Sequence, residues 1–121
     1  MENFPYCIPY FREVTGEELE ILKFLTRDLD EITVELESLT VIARCGCGQC
    51  PSILFGLSPG DEPVTGEHAE HVASWQGRTT GGTLAGVFLL AKDGMPTELE
   101  WCSLDGGDDQ RWPPIENLVR L

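Results

Sequence analysis

The sequence predicts an α+β domain in which an N-terminal helix packs on a mainly antiparallel sheet of about four to five strands. Its basis is a capped amphipathic helix near the start, short β-branched runs after it, and turns of hairpin length between those runs. The 121 residues fit a single domain, residues 1–121, because domains commonly run about 100–150 residues.

The helix begins after Thr15. In Thr15-Gly16-Glu17-Glu18 the threonine hydroxyl can accept from the Glu18 amide while the Glu18 side chain reaches back, a capping box, and Val14 and Leu19 form a hydrophobic staple around it. Leu19, Ile21, Leu22, Leu25 and Leu29 then recur near a period of 3.6 and make the packed face. Glu17, Glu18, Glu20 and Asp28 occupy the wet face, and the glutamates of the first turn suit the positive end of the helix dipole.

Residues 31–38 read two ways: Ile32, Val34 and Leu36 alternate as in a strand, while the Glu and Leu content suits a short second helix. Leu39 to Arg44 and Ser52 to Leu57 are β-branched runs flanking a glycine-rich turn, hence two strands with that turn at a sheet edge. Ser58 to Glu67 is a loop by its Pro, Gly and acid content, and structure resumes near Ala69 to Gln76. Thr83 to Ala91, a turn at Lys92-Asp93-Gly94, and the alternating Thr97 to Leu104 form the clearest hairpin. Asp105 to Asp109 is polar loop. Trp112-Pro113-Pro114 then pins an extended tail whose Ile115, Leu118 and Leu121 lie back on the sheet.

Charge sets the first functional limit. Asp and Glu number 21 against 8 Lys and Arg, a net charge of −13, whose field repels nucleic-acid phosphates and anionic lipid. The longest apolar stretch, Leu84 to Ala91, contains Gly86 and is far short of the ~20 residues a membrane-spanning helix needs. Met1 to Tyr6 carries neither the basic nor the apolar segment of a signal peptide, and the cysteine count of 5 is odd, so the expectation is a cytoplasmic protein with reduced thiols.

The densest chemical pattern is Cys45-Gly46-Cys47-Gly48-Gln49-Cys50-Pro51. Thiols this close suit soft-metal ligation or thiol exchange. Zinc asks for four N or S ligands, and Cys45, Cys47 and Cys50 with His68 or His71 meet that number. The spacing is C-x-C-x2-C without a second ligand pair, which favours packed free thiols and no resident metal. Cys47-Gly48-Gln49-Cys50 is formally C-x-x-C, but strand-like residues follow it instead of a helix whose dipole would lower a thiol pKa. No nucleophile, base and orienter stand in a recognisable catalytic motif, so no catalytic residue is assigned. Trp75, Trp101 and Trp112 read as core.

Arg12 to Glu18, Cys45 to Pro51, Val87 to Gly94 and Glu98-Leu99-Glu100-Trp101, in that order, resemble a group of small uncharacterised bacterial proteins. Those proteins have an R-x-[LV]-T-x-x-E helix, a C-G-C-G-C-P turn between strands, and a late apolar strand, D-G turn and L-E-containing strand. Gln49 is an extra residue within the turn. The resemblance implies a fold and no activity. In size, acidity and lack of catalytic residues the chain is also similar in character to immunity proteins of bacterial toxin systems, which mask a basic nuclease toxin with an acidic surface, a likeness of property and not of motif.

The functional expectation is a non-enzymatic acidic protein-binding module, an immunity or inhibitor protein that neutralises a basic toxin or effector. The alternative is a metal- or thiol-dependent protein built on the Cys45, Cys47 and Cys50 turn. The partner-facing acids are expected in the loops: Asp61, Glu62, Glu67, Glu70, Asp105, Asp108 and Asp109.

Overall fold

The chain opens with strand β1 (Cys7–Glu13) and turns into helix α1 (Gly16–Thr26). It then lays down β2 (Thr40–Cys45), β3 (Ile53–Gly56), β4 (Glu70–Arg78), β5 (Leu84–Lys92), β6 (Met95–Ser103) and the short β7 (Val119–Arg120). This computed structural model describes residues 5–121; residues 1–4, on which part of the signal-peptide reading rests, lie outside them. The strands form one seven-stranded sheet in the order β1-β2-β3-β6-β5-β4-β7, and every neighbouring pair is antiparallel.

Among the described residues the fold is therefore mainly β, with one α-helix on a sheet larger than the four to five strands expected. The additional strands are those with the poorest local signal. In β1 the ladder shifts between Pro9 and Arg12, Pro9 has no N–H to donate, and Tyr10 and Phe11 are both exposed, so no clean alternation survives. A shift between His71 and Ala73 does the same to the start of β4. β7 spans two residues and exists through its pairing with Trp75 and Gln76. Residues 31–38 become neither strand nor α-helix. They hold a single 3-10 turn at Leu36–Ser38, and the Thr33 and Val34 amides tie the segment to the Gly94 carbonyl.

Helix α1 forms as its sequence dictates. The Thr15 hydroxyl accepts from the Glu18 amide at 3.1 Å, and the Glu18 carboxylate accepts from the Thr15 amide at 2.9 Å. Ile21, Leu22 and Leu25 are buried against the sheet, each contributing about 1.5–3 kcal/mol by leaving water. The facing surface is built in cross-strand rows: Trp75 beside Val87 beside Trp101, and Ile53 beside Leu99 beside Leu89. Trp112 and Leu118 close this core from the C-terminal segment, so the three tryptophans are core residues as expected.

Glu18 differs from its expected wet position. It is 4% exposed, and Arg12 of β1 grips it with two hydrogen bonds of 2.8 and 2.7 Å. Helical phase alone put this residue outside; the unforeseen strand β1 covers it.

The opposite face of the sheet holds a second, smaller apolar layer. Ile42, Leu54 and Leu90 are almost fully buried yet stand apart from the main core. The loop after β3 reaches this layer: its Asp61 folds back against Gly56 at the end of β3, beside Ile42, and its Gly66 lies against Leu90 and the Tyr6 hydroxyl.

Candidate functional site

The cysteine turn spans the short distance from the end of β2 to the start of β3. Its shape follows from its glycines. Gly48 adopts φ +71°, a left-handed conformation that costs an L side chain, and Gly46 has the Pro5 carbonyl where a Cβ would stand. Hydrogen bonds from the Gly46 amide to the Tyr6 carbonyl and from the Gly48 amide to the Cys45 carbonyl, both 3.0 Å, fix the turn to the residue just before β1 and to itself. Because β2 and β3 are interior strands, the turn caps an end of the sheet and does not run along an open edge.

This geometry gathers Cys45, Cys47 and Cys50 so that their sulfurs all lie within 4.8 Å of one another, with Cys47 and Cys50 3.5 Å apart. Cys50 is buried, Cys45 half-buried and Cys47 exposed. The Gln49 and Cys50 amides both donate to the Cys47 sulfur at 3.4 Å. Burial raises the Cys47 pKa, but these amides and the neighbouring thiols outweigh it and bring the group down to about 7. Burial is the main cause that pushes Cys45 the other way, up to about 12. No helix supplies this polarisation; the turn's own amides do.

Neither histidine joins the thiols. His68 sits in a 3-10 turn with its ring 3.4 Å from Glu67, and His71 is on β4, 3.6 Å from Glu100 and edge-on to Phe88. Among the described residues, the group able to hold a metal consists of the three cysteines.

The seven loop acids fall into two sets at opposite ends of the sheet. Asp61, Glu62, Glu67 and Glu70 lie in or just after the loop joining β3 to β4, beside the turn between β5 and β6. Asp105, Asp108 and Asp109 follow β6 at the other end, the end that also carries the cysteine turn. Three of them have local work. Asp61 accepts from the Leu57 and Ser58 amides and the Ser58 hydroxyl. Asp105 accepts from the Leu84 and Gly107 amides and from Arg78. Asp109 accepts from the Gly81 amide and makes two bonds with Arg111. These bonds hold all three carboxyls below their ordinary pKa. Glu62, Glu67, Glu70 and Asp108 are exposed.

Two further acids belong with the first set. Glu31 and Asp93 line a groove with Glu70, His68 and Lys92, formed where the segment after α1 meets the start of β4 and the β5–β6 turn. The alternation of the hairpin marked Asp93 as a turn residue but said nothing of what it faces. A second missed group is buried: Glu98 on β6 is 4% exposed and accepts the Tyr6 hydroxyl at 2.7 Å. Burial first, then the charge of Glu100, raises its pKa.

No helix of the described residues is long and apolar enough to cross a membrane. Comparison with protein-family models, with curated proteins and with solved structures finds no match for this chain.

Proposed function

We propose that the protein is a non-enzymatic binding module that takes the basic surface of a protein partner, in the manner of an inhibitor or immunity protein that masks a nuclease-type toxin or effector. The observation that carries this reading is how the few cations are used. Arg12, Lys23, Arg27, Arg78, Arg111 and Arg120 each contact a carboxylate of the same chain, and Arg44 stacks over Tyr10. The eighth cation, Lys92, lines the groove itself. Except for Glu18 and Glu98 the described acids are exposed or partly exposed, so the net charge of −13 is carried largely at the surface. Such a field accelerates encounter with a cationic surface and rejects anionic ones.

Within that field the groove of Glu31, Glu70 and Asp93, with Glu62 and Glu67 on the adjoining loop, is the favoured contact surface. Asp61, Asp105 and Asp109 support it from a distance, since their oxygens already hold loops. Both histidines lie beside glutamates with neither paired to a nucleophile, which supports a role without catalysis.

The test is to capture partners from a source lysate and measure their association rates with wild type and with the Glu31→Gln/Glu70→Gln/Asp93→Asn variant. The expected partner is basic, and its association slows with the substitutions and as salt rises from about 0.05 to 0.5 M, where screening shortens from beyond 10 Å to a few Å. A partner whose association rate ignores both salt and the substitutions overturns the reading.

A further inference from the structure

We propose that Cys45, Cys47 and Cys50 form a three-thiolate site for a zinc-type divalent ion, with the fourth coordination position open toward solvent. The spacing in sequence argues against a metal because it lacks a second ligand pair. Folding supplies what spacing lacks. The reversal at Gly48 takes up the extra residue Gln49 and brings the three sulfurs within 4.8 Å of one another. With metal–sulfur bonds of about 2.3 Å, two thiolates on one tetrahedral ion stand about 3.8 Å apart. The Cys47 and Cys50 sulfurs are already at 3.5 Å, so binding asks for side-chain adjustment and no rebuilding of the turn.

Packing alone does not account for the arrangement. Core filling explains Cys50, which is 8% exposed and belongs to the main core. It does not explain Cys47, an exposed thiol held beside the other two by a left-handed glycine and by two amides that donate to its sulfur. Amides aimed at sulfur stabilise a coordinated thiolate, and a sulfur donor set selects zinc-like ions over calcium or magnesium. Cys50 inside, Cys45 half-buried and Cys47 outside define a face of ligands, leaving the outer position to water or to a group from another molecule. No oxidation state changes on binding. Each sulfur coordinates as a thiolate, any proton it still holds passing to solvent, and three thiolates with one divalent ion carry a single negative charge.

The inference is independent of the acidic groove, which lies at the other end of the sheet. It is tested on the full chain, reduced and freed of metal by a chelator, then titrated anaerobically with cobalt(II) alone and afterwards with zinc(II). Wild type is expected to bind one cobalt per chain with a thiolate-to-metal charge-transfer band in the near ultraviolet. Zinc should displace the cobalt at one equivalent, and native mass spectrometry should show one zinc per chain. Cys47→Ser, at an exposed position that leaves the fold intact, should weaken binding by more than the roughly 10–100-fold typical of changes outside the ligand set. Cys102→Ser, on β6 and outside the cluster, should bind as wild type does. Absence of a stoichiometric ion, binding of copper(I) with no binding of cobalt or zinc, or undiminished affinity in Cys47→Ser each overturns the proposal.

Discussion

The Tyr6 hydroxyl donates a 2.7 Å hydrogen bond to the Glu98 carboxylate, joining residues 92 positions apart. It fastens the start of the chain over the second face of the sheet, where Leu90, Ile42 and Leu54 are buried. The arrangement has an electrostatic cost, because Glu98 loses hydration and has Glu100 beside it.

That cost sets a pH dependence. Burial raises the folded-state pKa of Glu98, so the native chain holds a proton that the unfolded chain releases above about pH 4.3. Stability from this group is present below that value and falls as pH rises toward the folded pKa. Glu98→Gln, which keeps an acceptor for Tyr6, is expected to be more stable than wild type at pH 7 and to lose that advantage below about pH 4. Denaturant midpoints at the two pH values check it; an equal difference at both excludes the mechanism.

Glu18 has the opposite sign. Burial would raise its pKa, but Arg12 and the Thr15 amide outweigh burial and lower it. Its contribution is present above about pH 4.3 and lost as the carboxyl protonates in acid. Arg12→Met leaves this carboxylate buried without its partner, and the expected loss is toward the lower end of about 3–5 kcal/mol because Arg12 itself is partly hydrated. The double variant Arg12→Met/Glu18→Leu should recover most of that loss in equilibrium melts.

Leu22→Ala removes a fully buried helix residue, and the expected loss is about 2–5 kcal/mol. Thr15→Ala removes one half of the capping box and should cost about 1 kcal/mol. Thermal or urea unfolding separates them, and equal losses would mean that α1 is not docked through Leu22.

Asp61 and Glu62 are adjacent and both exposed, yet they should behave differently. Asp61→Ala frees the Leu57 and Ser58 amides, and hydrogen exchange at those two positions should accelerate. Glu62→Ala should leave their exchange unchanged. Acceleration in both variants would show that charge, and not the bonds of Asp61, orders the loop.

Gly48→Ala forces an L side chain into φ +71° and is expected to destabilise the protein by about 1–2 kcal/mol. It should also spread the three thiols, which a bifunctional arsenical reporter would read as slower capture. Unchanged stability would place the turn in another conformation.

What the sequence determined by itself is local: the Thr15–Glu18 box, the phase of Ile21, Leu22 and Leu25, the Asp93-Gly94 turn, and the tryptophan core. Each depends on residues a few positions apart or on plain hydrophobicity, so neighbouring side chains suffice to specify it. Tertiary structure decided the size of the sheet, because β1, β4 and β7 are strands through pairing with distant partners: register shifts and Pro9 disturb the periodicity of β1 and the start of β4, and β7 is only two residues long. It also decided the fate of individual polar groups. Glu98 is buried beneath Tyr6, which arrives from 92 positions away. Glu18 is covered by Arg12, a near neighbour in sequence whose strand β1 is held in place by pairing with the distant β2. Asp61 is engaged while Glu62 is not because loop closure aims only one of them at free amides. The cysteines were legible as a cluster, but their mutual distance depends on a backbone reversal at Gly48 that spacing alone does not encode. Local propensity is written in adjacent residues, whereas burial and pairing are properties of which remote segments meet.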